Sequence, residues 1–144
     1  MQFAIFNFNN LKKRRAMMSE YINKIRYNAE VAEDFFSERI AFTLGPVELK
    51  KMMEDEKVKV IDVRAKEDYD EGHIPEAISV PKKELPEELM SMSKEDLHVV
   101  YCYNQQCHLA AAAALILAKN GYPVMELEGG FNVWKNYFKF EVVK

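Results

Sequence analysis

Four short apolar runs, alternating with helical stretches, constrain this chain more than any other feature. Residues 58–63 (VKVIDV) are β-branched and bounded by charges, the pattern of a buried strand. Residues 77–80, closed by Pro81, repeat that pattern, as do residues 99–102, with His98 at their edge, and residues 124–127. Between them the sequence predicts helices near 67–71, 85–90 and 109–120. A helix between successive strands makes those strands parallel, because a parallel pair needs a long crossover connection. The expected fold is a layered α/β domain, with a parallel central sheet flanked by helices. The stretch 109–120 is apolar on every side, so it is expected to be buried all round, with Gly121 as its C′ stop.

Upstream, Met18, Ile22, Ile25, Ala29, Ala32 and Phe36 recur at steps of three and four. That spacing is one face of a helix. The reading is an extra amphipathic N-terminal helix over 19–39, with Ser19 as N-cap. It is expected to pack on its own domain; docking a partner is the alternative use. Residues 1–17 show no period and are expected to be irregular. Residues 41–44 are expected to be extended. Gly45 then breaks the chain, and Pro46 opens a helix over 46–54 that buries Val47, Leu49 and Met52 or Met53. The expected organisation is an N-terminal tail and helix over 1–40 and one domain over 41–140.

Composition limits the function. Of 144 residues, 49% are hydrophobic, enough for a sizeable core. The 20 basic and 23 acidic residues nearly cancel, unlike the basic excess of a nucleic-acid binder. The apolar run 109–118 is far below the ~20 residues of a membrane helix. The basic cluster at 12–15 (KKRR) follows the apolar N-terminal stretch, the reverse of a secretory signal, and reads as solvated. Two cysteines cannot build a disulfide framework, and with three histidines they make no zinc quartet. The expectation is a cytoplasmic protein with no cofactor or metal and no nucleic-acid or membrane partner.

Sites in parallel α/β sheets form beyond the carboxyl ends of strands, where loops meet helix N-termini. Only the strand ending at Cys102 delivers a strong nucleophile there. It runs into Tyr103, Asn104, Gln105, Gln106, Cys107 and His108, which form the candidate substrate loop before the next helix. Backbone N–H groups and the helix dipole at such a junction favour a thiolate, the reactive form of cysteine. The alternative for Cys102 is an inert, buried thiol. Cys107 is either packing or a redox partner whose thiol meets that of Cys102.

Val60-Ile61-Asp62-Val63-Arg64, then Tyr69, then Glu71-Gly72-His73-Ile74-Pro75-Glu76-Ala77 resembles the first signature of rhodanese domains. Val100-Tyr101-Cys102 resembles their active-site strand and nucleophile. Gly121-Tyr122 with Val124, then Leu127-Glu128-Gly129-Gly130-Phe131 and Trp134, resembles their closing motif. The resemblance covers about residues 40 to 138, with the motifs in order. It implies a single rhodanese-like domain and a sulfurtransferase. Cys102 would take a sulfane sulfur from a small donor, become a persulfide, and pass the sulfur to a thiol, cyanide or a protein acceptor. It also implies that Asp62 and Arg64 brace the site structurally.

This chain departs from the family at the loop. Family loops commonly read C-x-x-G-x-R, and here Cys107 stands in the arginine position. An arginine there would bind an anionic donor bidentately. Thiosulfate is therefore expected to be a poor donor. Two further readings follow. One is a catalytically weak binding or regulatory module. The other is a phosphatase, which the missing loop arginine disfavours.

Overall fold

The computed structural model describes residues 8–55 and 58–144. By contacts the chain divides into two compact units, the first ending at Arg39 and the second running Ile40–Lys144.

The first unit holds α1 (Phe8–Tyr27) and most of α2 (Ala29–Phe42). This corrects the single helix expected over 19–39 and the irregular segment expected before it. Helix α1 is already formed from Phe8, so Ser19 lies mid-helix and caps nothing. Periodicity missed residues 11–17 because they carry no stripe. They are nonetheless Leu, Lys, Arg, Ala and Met, the strongest helix formers. The part of the irregular expectation that falls on 1–7 lies outside the described residues. The helix breaks at Asn28, whose carbonyl accepts the Ala32 N–H at 3.0 Å and so starts α2. Asparagine is among the residues favoured at such a start. Within this unit the stripe stays exposed at Met18, Ile22, Ile25 and Phe36.

The second unit is built on five parallel strands. They are β1 (Thr43–Leu44), β2 (Val58–Asp62), β3 (Ile78–Ser79), β4 (Leu97–Tyr101) and β5 (Val124–Leu127), in the spatial order β1-β5-β4-β2-β3. The layered α/β expectation holds. Details shift: residues 41 and 42 belong to α2, Cys102 falls one residue past β4, and His98 lies inside β4 with its ring on the Pro123 carbonyl. Register sets Ile61 beside Val100 and Asp62 beside Tyr101. Successive strand residues face opposite sides of the sheet. Val60, Val99 and Tyr101 pack with Leu44, Leu49 and Trp134. Ile61, Val100 and Cys102 pack with Ala110, Ala113 and Leu117 on the other side.

The helices of this unit are α3 (Pro46–Met53), α4 (Lys66–Glu71), α5 (Leu85–Glu88), α6 (Leu109–Lys119) and the short turn α7 (Gly130–Asn132). In α3, Glu48 reaches back to the Gly45 N–H at 2.8 Å, fixing the helix start. Leu49 is buried as expected, but Val47 faces solvent. Helix α6 ends as predicted at Gly121, which has φ of +81°. The Tyr122 N–H bonds the Leu117 carbonyl and the Gly121 N–H bonds that of Ala118, the paired closure of a Schellman end. The expectation that α6 is buried all round is not met. Ala110, Ala113 and Leu117 are buried, whereas Leu115 is 56% exposed. Alanine runs are apolar by count but demand little burial, so one face on the sheet suffices. Among the described residues no helix is long and apolar enough to cross a membrane.

Candidate active site

The carboxyl end of β4 delivers Cys102 into a loop, residues 102–108, that ends where α6 begins. Two layers hold this end. Beneath it, Asp62 and Arg64 are both buried and paired, with Nη2 to Oδ2 at 2.7 Å. Asp62 Oδ1 accepts the Arg64 backbone N–H and Nε, each at 3.0 Å. Arg64 Nη2 also donates to the Gly72 carbonyl at 2.7 Å. The Tyr101 hydroxyl donates to Asp62 Oδ2 at 2.6 Å and accepts the Ile74 N–H at 3.2 Å. The network thus ties the ends of β2 and β4 to the turn that carries Gly72, His73 and Ile74. Burial opposes the Arg64 charge, but the hydrogen bonds and charge of Asp62 more than offset it and raise the Arg64 pKa. Burial, then the Asp62 charge, pushes the Tyr101 hydroxyl far above its usual range, so it stays a neutral donor. Breaking one member of a buried pair like this costs roughly 3–5 kcal/mol.

Above it, the loop is pinned by its own side chains. The Tyr103 hydroxyl accepts the Ala65 N–H at 3.2 Å and donates to Asp68. Gln105 Oε1 accepts the Gly129 N–H at 2.6 Å. Asn104 Oδ1 accepts the N–H groups of Gln106 and Cys107 at 3.0 and 3.1 Å. The closing motif grips the loop backbone, with Phe131 N–H on the Cys102 carbonyl and Asn132 N–H on the Tyr103 carbonyl, both at 2.9 Å. His108 is exposed, its carbonyl accepting the Ala112 N–H, and its side chain makes no capping bond.

The expectation that backbone N–H groups at this junction favour the Cys102 thiolate meets a larger opposing effect, burial. Cys102 is 2% exposed, and its Sγ donates to the Cys107 carbonyl at 3.3 Å. Burial, followed by the hydrogen bond with Cys107, pushes its pKa up to about 11. The N–H groups of Ala110 and Asn104 oppose that rise without reversing it. The expected fan of free loop amides is also reduced, since Asn104 occupies two of them. Cys107 is only partly buried, and its pKa moves down. Desolvation opposes the change, but the Cys102 hydrogen bond and the N–H groups of Leu109 and Tyr103 outweigh it.

Within the loop Cys102 Sγ meets the carbonyls of Asn104 and Cys107, and Asp62, with Arg64, is tied from the neighbouring strand to Tyr101, the residue before Cys102. A cavity of about 350 Å³ opens beside the start of α6, lined by Arg64, Lys66, Lys82, Lys83 and Leu109 among others. Sequence reasoning missed the Tyr101 hydroxyl, the Tyr103–Asp68 contact and the Gln105 anchor. Tyr101 carried a usable signal, because a tyrosine inside a buried strand needs a partner for its hydroxyl. The contacts with Asp68 and Gly129 cross 35 and 24 positions, and no local pattern announces them.

These features coincide with what the chain is similar to. The model of the rhodanese-like domain matches residues 45–137. A helix-turn-helix-type transcriptional regulator of Mycobacterium tuberculosis is 35% identical over 88 residues, which cover 61% of this chain but 39% of that protein. A putative sulfurtransferase of Bacillus subtilis is 28% identical over 90 residues, 62% of this chain and 85% of that protein. Among solved structures, the BH2092 protein of Bacillus halodurans superposes with a TM-score of 0.73 at 32% identity, over 81% of this chain and 86% of its own. The matched span takes in β2 to β5, the Cys102 loop and the glycine pair that grips it, so this chain belongs to the family of rhodanese-like domains.

Proposed function

We propose that the protein is a sulfurtransferase that carries sulfane sulfur as a persulfide on Cys102 and hands it to a thiol, cyanide or a protein acceptor. The observation that carries this reading is the position of Cys102, one residue past a central strand and at the head of the 102–108 loop, where the backbone of Asn104 and Ala110 favours its charged form against burial. Those backbone groups are where negative charge on a thiolate or persulfide is best accepted. Relatives named as sulfurtransferases support the same chemistry.

In this mechanism the Cys102 thiol first gives up its proton. The thiolate attacks the sulfane sulfur of the donor, the donor's sulfur–sulfur bond breaks, and its electron pair leaves with the donor. The acceptor then attacks the outer sulfur, and Cys102 leaves as thiolate. A second reading, a catalytically weak binding or regulatory module, draws on two observations. The resting Cys102 is a protonated thiol, and Cys107 occupies the position where an arginine would clamp an anion.

Intact-mass measurement after incubation with thiosulfate, and separately with glutathione persulfide, tests the proposal. The expected result is a gain of one sulfur atom on Cys102, absent from Cys102→Ser. A folded protein that takes up sulfur from neither donor would sink the transferase reading and favour the module.

A further inference from the structure

The loop that begins at Cys102 closes back on itself. Cys102 Sγ meets the Cys107 carbonyl at 3.3 Å across five positions of sequence, and Cys107 packs against the core cluster that contains Cys102. Asn104 locks this closure, holding the Cys107 N–H with its side-chain oxygen at 3.1 Å and its carbonyl at 3.2 Å. Both cysteines are free, Cys102 buried and Cys107 partly open to solvent. An external acceptor has to reach a buried sulfur, whereas the backbone of Cys107 already lies against it.

We infer that Cys107 is a second reactive thiol, which resolves the Cys102 persulfide by attacking Cys102 Sγ and expelling the outer sulfur as hydrosulfide. The inference rests on the persulfide reading of Cys102. A sulfur–sulfur bond forms between Cys107 and Cys102, and the bond from Cys102 to the outer sulfur breaks. The electron pair of that bond leaves with the outer sulfur, which takes up the proton that Cys107 gives up. The Cys107 sulfur is oxidised to the disulfide level and the sulfane sulfur is reduced to sulfide. A cellular dithiol reductant then supplies two electrons and two protons to reopen the disulfide. Cys107 is suited to the attack because it is the more acidic of the two thiols, and a thiolate is the attacking form. The domain then releases sulfide whenever no acceptor arrives first.

The test uses the full chain, loaded with glutathione persulfide, desalted, and alkylated at intervals without reductant. Intact mass, peptide mapping and a hydrosulfide assay follow each sample. The wild-type protein is expected to convert its persulfide into a Cys102–Cys107 disulfide with matching hydrosulfide release. Cys107→Ala is expected to keep the persulfide about ten times longer or more, having lost an intramolecular attacker. Equal persulfide lifetimes in both proteins, or the sulfur recovered on Cys107, would overturn the inference. Failure of both proteins to load is failure of the transferase reading instead. The pair is then judged by dilute hydroperoxide, which oxidises Cys102 to a sulfenic acid that Cys107 condenses with, losing water. The same disulfide upholds the pairing there, and two unlinked cysteines refute it.

Discussion

At the residue scale, the character of this site is set by how deeply Cys102 lies. Burial holds it as a thiol with a pKa near 11, so at neutral pH only a small fraction is thiolate. A raised pKa leaves the neutral form dominant below it, and the reactive form grows as pH rises toward it. Loading of Cys102 by thiosulfate, which does not titrate in this range, should therefore accelerate roughly tenfold per pH unit above neutrality. A single-turnover rate that levels off near neutral pH would contradict this. The second residue-scale prediction concerns Cys107. An arginine there supplies a charge-assisted contact worth about 1.5–3 kcal/mol. Cys107→Arg should improve thiosulfate use about tenfold or more, read as kcat/KM. Unchanged thiosulfate kinetics would mean that the loop amides alone hold the donor.

At the scale of elements, the glycine pair Gly129–Gly130, where the chain turns from β5 into α7, controls the loop. Gly130 has φ of +58°, and a Cβ there would lie 2.7 Å from the Cys102 carbonyl and 3.0 Å from the Asn104 nitrogen. Both neighbours are backbone, so neither yields by rotating a side chain. Gly130→Ala should displace the loop and disturb the Phe131 N–H contact with Cys102. The expected outcome is a lower melting temperature together with slower sulfur loading; a variant unchanged in both would show that the turn is more plastic than it looks. The same scale explains α6. Its alanines approach the sheet closely on one face, so its start, and the loop before it, sit tight against Cys102.

At the scale of the whole molecule, the described residues that make up both core clusters all lie at Leu44 or later, within the second unit. The second unit carries its own core, so a chain beginning at Ile40 should fold by itself in a single cooperative transition. Calorimetry of this chain beside the full one checks this. A large loss of stability or aggregation of the shortened chain would show instead that the N-terminal helices complete the core. The stripe of Met18, Ile22, Ile25 and Phe36 argues from sequence for that opposite outcome, because amphipathic spacing records an apolar face without recording what covers it.

The sequence by itself determined the alternation of strands and helices, the parallel sheet, the Gly121 stop of α6 and the position of Cys102 after a central strand. Each follows from local chemistry: β-branched runs, helical spacing, or a glycine free to take positive φ. Tertiary structure decided the rest. The first half of helix α1 is set by helix propensity, which leaves no periodic trace, and the break at Asn28 interrupts a stripe whose spacing runs on without a gap. The raised pKa of Cys102 depends on how far the loop curls over it and on which carbonyl its thiol finds. The Tyr101–Asp62–Arg64 network and the Gln105 and Tyr103 anchors join residues far apart in the chain. Such contacts form only when the folded backbone brings their partners within hydrogen-bond distance, and neither composition nor spacing encodes that distance.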